Sequence, residues 1–134
     1  MLIQRILTPR IVAAVWGIFS AVTAYGYVGK SISALTPIEE IMPAESLAFA
    51  WMVAAVFLLV GAAVPSGNRA VNRCGGLLRA AGIISVTLIL TMWSLSYFMD
   101  SVVDGSRGWI SGKNYLFLAL ASMVSAWVAG RHQP

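Results

Sequence analysis

A chain of 134 residues holds one domain, and here 59% of it is hydrophobic and only 10% is charged. A soluble domain carries about 25% charged residues because its surface must face water, so this composition excludes an ordinary soluble globule and makes residues 1–134 a single integral membrane domain. The net charge of +4 comes from nine Lys and Arg set singly between apolar blocks; without a basic stripe or interleaved aromatics, it gives no reason to expect a nucleic-acid partner. The one cysteine, Cys74, excludes an internal disulfide and a cysteine metal cluster, and the preceding Asn72 and Arg73 do not fit a lipoprotein site.

A helix needs about 20 apolar residues to cross a hydrocarbon core of roughly 30 Å. The first such segment is Ile11–Val28, preceded by Arg5 and Arg10. It is longer than the apolar region of a secretory signal, and the best imitation of a cleavage site, Ala21 to Ala24, lies inside it. The segment is therefore expected to stay as a helix. Along it Ala13, Gly17 and Ala21 recur at four-residue spacing, a row of small residues that lets helix backbones approach closely.

The next connection, Gly29–Glu45, contains Thr36-Pro37-Ile38-Glu39, which predicts a helix start. Thr36 is the N-cap, Pro37 takes the first helical position where no N–H is needed, and Glu39 closes a capping box. A short helix at the outer interface is expected here, as a connector or as a lid or docking element. The second span, Ser46–Val64, contains no basic residue or aspartate and follows Glu45 directly. Residues Pro65 to Gly76 read as a polar turn region carrying Arg69 and Arg73, within reach of anionic headgroups.

The third span is Leu77–Met99, with Arg79 at its leading end, where a long side chain snorkels to the headgroups. Thr87, Thr91 and Ser94 mark one polar face, suited to line a pore in an oligomer or to join helices. A connection that mixes Asp100 and Asp104 with Arg107 and Lys113 leads to the fourth span, Trp109–Gly130. There Ser122, Ala126 and Gly130 form a second row of small residues, which packs the bundle or drives self-association. Continuous apolar runs, rather than alternating ones, exclude strands in lipid.

Charge orients the spans. Arg5, Arg10, Arg69, Arg73, Arg79 and Arg131 fall on one side, against Lys30, Arg107 and Lys113 on the other. The positive-inside rule then places both termini in the cytoplasm. All five acids lie on the outer side. Most Trp and Tyr residues, including Trp51, Trp93, Tyr97 and Tyr115, fall toward the outer ends, which reads as an interfacial belt or, more sharply, as a stacking platform for a ligand.

Chemistry is hard to find. The middle of the spans holds no Asp, Glu, Lys, Arg or His, which argues against a proton-coupled exporter in the style of the small multidrug transporters. The single histidine, His132, cannot build a metal site alone, and the hydroxyl residues lack a neighbouring base. No catalytic, cofactor-binding or metal-binding residue is expected.

Three motifs carry a resemblance: Thr-Pro-Ile-Glu-Glu-Ile-Met-Pro-Ala at 36–44, Leu-Leu-Arg-Ala-Ala-Gly at 77–82, and Asp-Gly-Ser-Arg-Gly-Trp-Ile-Ser-Gly-Lys-Asn-Tyr at 104–115. In this order, over about residues 10–131, the chain resembles the small four-span membrane proteins of actinobacterial phages, some of them regarded as holin candidates. The topology is also similar to that of DoxX-like four-helix proteins, although the charged and glycine-rich signature of their first two spans is missing. The first resemblance implies an N-in/C-in bundle of four transmembrane helices that self-associates in the cytoplasmic membrane and permeabilises it. The alternative is a non-catalytic accessory protein that binds another membrane protein. On either reading the partners are the lipid bilayer and other membrane helices, either further copies of the chain or a different protein.

Overall fold

The structure, a computed structural model, describes residues 8–28, 42–65, 67–105 and 108–130. Among these residues the backbone forms four helices and no strand: α1 Pro9–Tyr27, α2 Ala44–Ala63, α3 Arg69–Asp104 and α4 Gly108–Gly130. The short helix expected around Thr36, Pro37 and Glu39 lies outside the described residues.

Local chemistry sets the boundaries. Thr8 caps α1, its hydroxyl accepting from the Ile11 N–H at 3.3 Å, and Pro9 occupies the first turn. Pro43 precedes α2, whose first turn carries Glu45 at the positive end of the helix dipole. Asn68 caps α3 by accepting from the Val71 N–H at 3.0 Å. The Asn72 amide braces the same turn, accepting from the Gly67 N–H at 3.2 Å and donating to its carbonyl at 3.3 Å. At its far end α3 stops on Gly105, whose left-handed φ of 63° is the only positive one among the described residues.

The third helix corrects the sequence reading at both ends. Residues 69–76 are helix rather than polar turn, and Asp100 to Asp104 continue it on the other side. The Asn68 cap and the Asn72 brace start the helix early, while no Gly or Pro interrupts it between Gly82 and Gly105. Its 36 residues span about 54 Å at about 1.5 Å per residue, more than the hydrocarbon and headgroup layers together.

The chain runs up and down. Arg10, near the start of α1, donates to the Val64 carbonyl at the end of α2, and Pro9, Gly76 and Gly130 line one groove. The beginnings of α1 and α3 therefore share an end of the bundle with the ends of α2 and α4. Helix α1 packs along α2, α2 along α3 and α3 along α4, whereas α1 meets α3 and α4 much more loosely. Helices α2 and α4 stand diagonally opposite and barely touch.

The core holds Trp51, Leu58, Val86 and Leu90, all fully buried. Close approach depends on absent side chains. A Cβ placed on Gly17 would stand 2.8 Å from the Leu59 side chain and 3.2 Å from Leu58 Cβ; one on Gly82 would stand 2.5 Å from Leu58 Cγ. Leu58 thus sits between α1 and α3 only because both facing positions are glycine.

The outside of the molecule is as apolar as the inside. Ile11, Val15, Ile18 and Val22 form an exposed stripe on α1; Phe49, Met52 and Val56 do so on α2, and Ile84, Leu88, Met92 and Leu95 on α3. Helices α2 and α3 are long and apolar enough to cross a membrane. Only 33% and 28% of their most apolar stretches are buried, whereas the core helix of a soluble protein would be mostly covered. Helices α1 and α4 are more mixed, carrying Arg10, Tyr25 and Tyr27 in the first and Lys113 and Asn114 in the last.

Candidate functional site

Of the polar face expected from Thr87, Thr91 and Ser94, the first and last turn toward α4. Thr87 shares a 2.8 Å hydrogen bond with the Ser122 hydroxyl, and Ser94, fully buried, donates to the Gly112 carbonyl at 2.8 Å. Thr91 donates back to the Thr87 carbonyl of its own helix at 2.7 Å. At the next seam Trp16 of α1 donates from Nε1 to Ser125 Oγ of α4 at 3.0 Å. These groups are arranged as joints between helices, where each interhelical bond contributes about 0.6–2 kcal/mol.

The two rows of small residues are used unequally. Ala13 and Gly17 are buried and Ala21 partly so, with Gly17 covered by Leu58 and Leu59 of α2. On α4 Ser122 is fully buried against Thr87, but Ala126 lines an open groove and Gly130 has no neighbour that a Cβ would meet.

A cluster of rings fills the centre. Trp16 meets Phe19 edge-on at 5.5 Å, Phe19 meets Trp51 at 5.7 Å, and Trp51 meets Trp93 at 5.8 Å. Trp93 contacts Tyr115 at 5.0 Å and Tyr27 at 6.1 Å, and Tyr115 stacks on Tyr97 at 5.6 Å. The rings expected in an interfacial belt therefore divide into two groups. Tyr25 and Trp109 are exposed, while Trp51 and Trp93 are core residues whose buried indole N–H groups find no hydrogen-bond partner among the described residues. Edge-to-face packing stabilises such pairs by about 0.5–1.5 kcal/mol beyond burial, against about 1–3 kcal/mol for each unsatisfied donor.

Two arginines close the end of α2. The last carbonyls of a helix have no partner within it and carry its negative pole. Arg79 of α3 donates from Nη1 to the Gly61 carbonyl at 2.7 Å, and Arg10 of α1 donates to the Val64 carbonyl. Arg79 can lie across α2 because Gly61 leaves room; a Cβ there would sit 2.9 Å from Arg79 Cγ.

Beside these arginines, α1, α3 and α4 leave a groove of about 380 Å³ lined by Val12, Ala13, Arg79, Ala80, Ile83 and Ala126, among others. It runs into a second hollow of about 350 Å³ along Thr87, Leu88 and Met123. The two share Ile83, Ile84 and Ala126, so they are one furrow down the open side of the bundle.

Sequence reasoning missed three of these features. The double capping of α2 depends on which helix ends meet, although Arg79 inside an apolar run was a visible signal. The furrow follows from the loose fit of α4 against α1, which no residue spacing encodes. The central ring cluster was hidden because Trp and Tyr near helix ends suit an interface and a core equally well. No group of three His, Cys, Asp or Glu able to hold a metal occurs among the described residues. Comparison with known protein families, curated proteins and solved structures finds no match for this chain.

Proposed function

We propose that the chain is a four-span protein of the cytoplasmic membrane, with both termini inside, acting as a non-catalytic partner of lipid and of other membrane helices. The observation that carries this reading is the distribution of polarity. Apolar side chains cover the outward faces of the helices, while Thr87, Ser94 and Ser122 bond across the seam of α3 and α4. A soluble monomer rarely exposes apolar patches larger than a few hundred Å², and lipid is the solvent in which such a surface costs nothing. The orientation is supported by Arg10, Arg69 and Arg73 near helix starts and Arg79 beside the end of α2, all on one side of the bundle, while Glu45 and Asp100 lie near helix ends at the other.

A holin-like permeabilising activity is the second reading. It is favoured by the open part of the α4 row, Ala126 and Gly130, which offers a surface for a second copy. It is disfavoured by the polar face, because Thr87 and Ser94, the residues suited to line a pore, are already bonded within the chain.

One experiment separates the readings: inducible expression in a bacterium carrying a membrane-potential dye, with and without a cytosolic wall-degrading enzyme. The proposed role predicts membrane insertion with an intact potential. Abrupt depolarisation, with lysis only when the enzyme is present, would establish the holin-like activity instead.

A further inference from the structure

We propose that the furrow between α1, α3 and α4 is a binding site for one anionic phospholipid of the inner leaflet, the phosphate held by Arg79 and Arg10 and an acyl chain lying along Ile83, Ile84 and Ala126. This rests on the membrane-spanning reading above.

Shape and charge point to the same occupant. The furrow is apolar along its length and carries one cation, Arg79, in its lining at one end. Its volume falls within the range of about 300–1,000 Å³ typical of ligand pockets. Arg10 joins Arg79 at this end, the two donating to the Val64 and Gly61 carbonyls, about one turn apart at the end of α2. Among the described residues neither is paired with a carboxylate; Glu45 and Asp100 stand at the far ends of α2 and α3. No carboxylate among the described residues lies at this end of the bundle, which leaves the two guanidiniums open to an anion from outside. A guanidinium presents a planar fork of donors suited to phosphate oxygens. The Gly61 carbonyl takes one N–H of Arg79 and holds the group at the mouth of the furrow, leaving other donors for a second acceptor. Basic pockets between transmembrane helices on the cytoplasmic side recognise anionic headgroups in this way.

The test uses the full chain in neutral detergent and native mass spectrometry. The probes are phosphatidylglycerol and phosphatidylcholine of matched acyl chains, with excess inorganic phosphate as competitor. The wild type is expected to take up one phosphatidylglycerol at about tenfold lower concentration than phosphatidylcholine, and phosphate is expected not to displace it. Arg79→Gln should abolish the preference. Ala80→Trp, which fills the furrow while leaving the Arg79 bond to Gly61 in place, should reduce uptake of both lipids; Arg73→Gln, outside the furrow, should change neither. Equal uptake of the two lipids by the wild type, displacement by phosphate, or wild-type behaviour of Ala80→Trp would overturn the proposal. Carbonate extraction of membranes from the same cells keeps the two claims apart. A chain released by carbonate defeats the spanning reading, whereas a carbonate-resistant chain without lipid preference defeats this inference alone.

Discussion

Arg79 Nη1 lies 2.7 Å from the carbonyl oxygen of Gly61, so a cation from the third helix caps the negative end of the second. The contact joins two effects: an orphan carbonyl gains a charged donor, and the helix dipole meets an opposite charge. Hydrogen bonds to charged groups contribute about 1.5–3 kcal/mol. Arg79→Ala is therefore expected to lower stability by about that amount, read as a fall in melting temperature in detergent micelles. Arg79→Lys should recover part of the loss. An unchanged melting temperature for Arg79→Ala would mean that the cap contributes nothing.

The hairpin of α2 and α3 closes on Gly82, where an added Cβ would stand 2.5 Å from Leu58 Cγ and 3.1 Å from the Leu58 backbone nitrogen. Overpacking of this kind costs about 1–3 kcal/mol. Gly82→Ala is expected to destabilise the protein by that amount, despite the better helix propensity of alanine. Gly130→Ala, in open space, should change stability by less than about 1 kcal/mol and in the favourable direction. Circular dichroism during denaturation in micelles distinguishes the pair. Equal effects would show that the close approach is not a constraint.

How far the sequence revealed this arrangement can be judged from particular residues. The apolar runs around Val56 and Leu88 were plain, since composition alone decides whether a segment can live in lipid. The start of α3 at Arg69 was not, because Gly75 and Gly76 look like loop residues until Val64 is seen packed against Gly75, 3.0 Å from where a Cβ would be. Gly17 was legible as a packing residue, but its partner was not; a four-residue spacing marks a close face without saying which helix fills it. Thr87 and Ser94 were legible as one face of a helix, and their engagement with Ser122 and Gly112 required the tertiary fold.

The Thr87–Ser122 contact can be weighed directly. A double-mutant cycle with Thr87→Val and Ser122→Ala is expected to give a coupling of about 0.6 kcal/mol, and no more than about 1.7 kcal/mol. Additive single effects would place the two hydroxyls apart and so contradict the observed α3–α4 seam.

The ring cluster makes a contrast between two tryptophans. Trp51→Ala removes a fully buried side chain from the centre and should cost about 3–5 kcal/mol. Trp109 is 51% exposed, and Trp109→Ala should cost less than about 1 kcal/mol. Unfolding monitored by the fluorescence of the remaining tryptophans reads both. Similar losses would mean that Trp51 is not the core residue the packing makes it.

The most direct test of the membrane arrangement uses the protein's own single thiol. Cys74 is exposed on α3 near Arg69 and Arg73, at the end assigned to the cytoplasm. A membrane-impermeant maleimide applied to intact spheroplasts should leave it unmodified, and the same reagent applied to inverted membrane vesicles should label it fully. Labelling from the outside of sealed spheroplasts, or recovery of the thiol in a soluble fraction, would contradict the account.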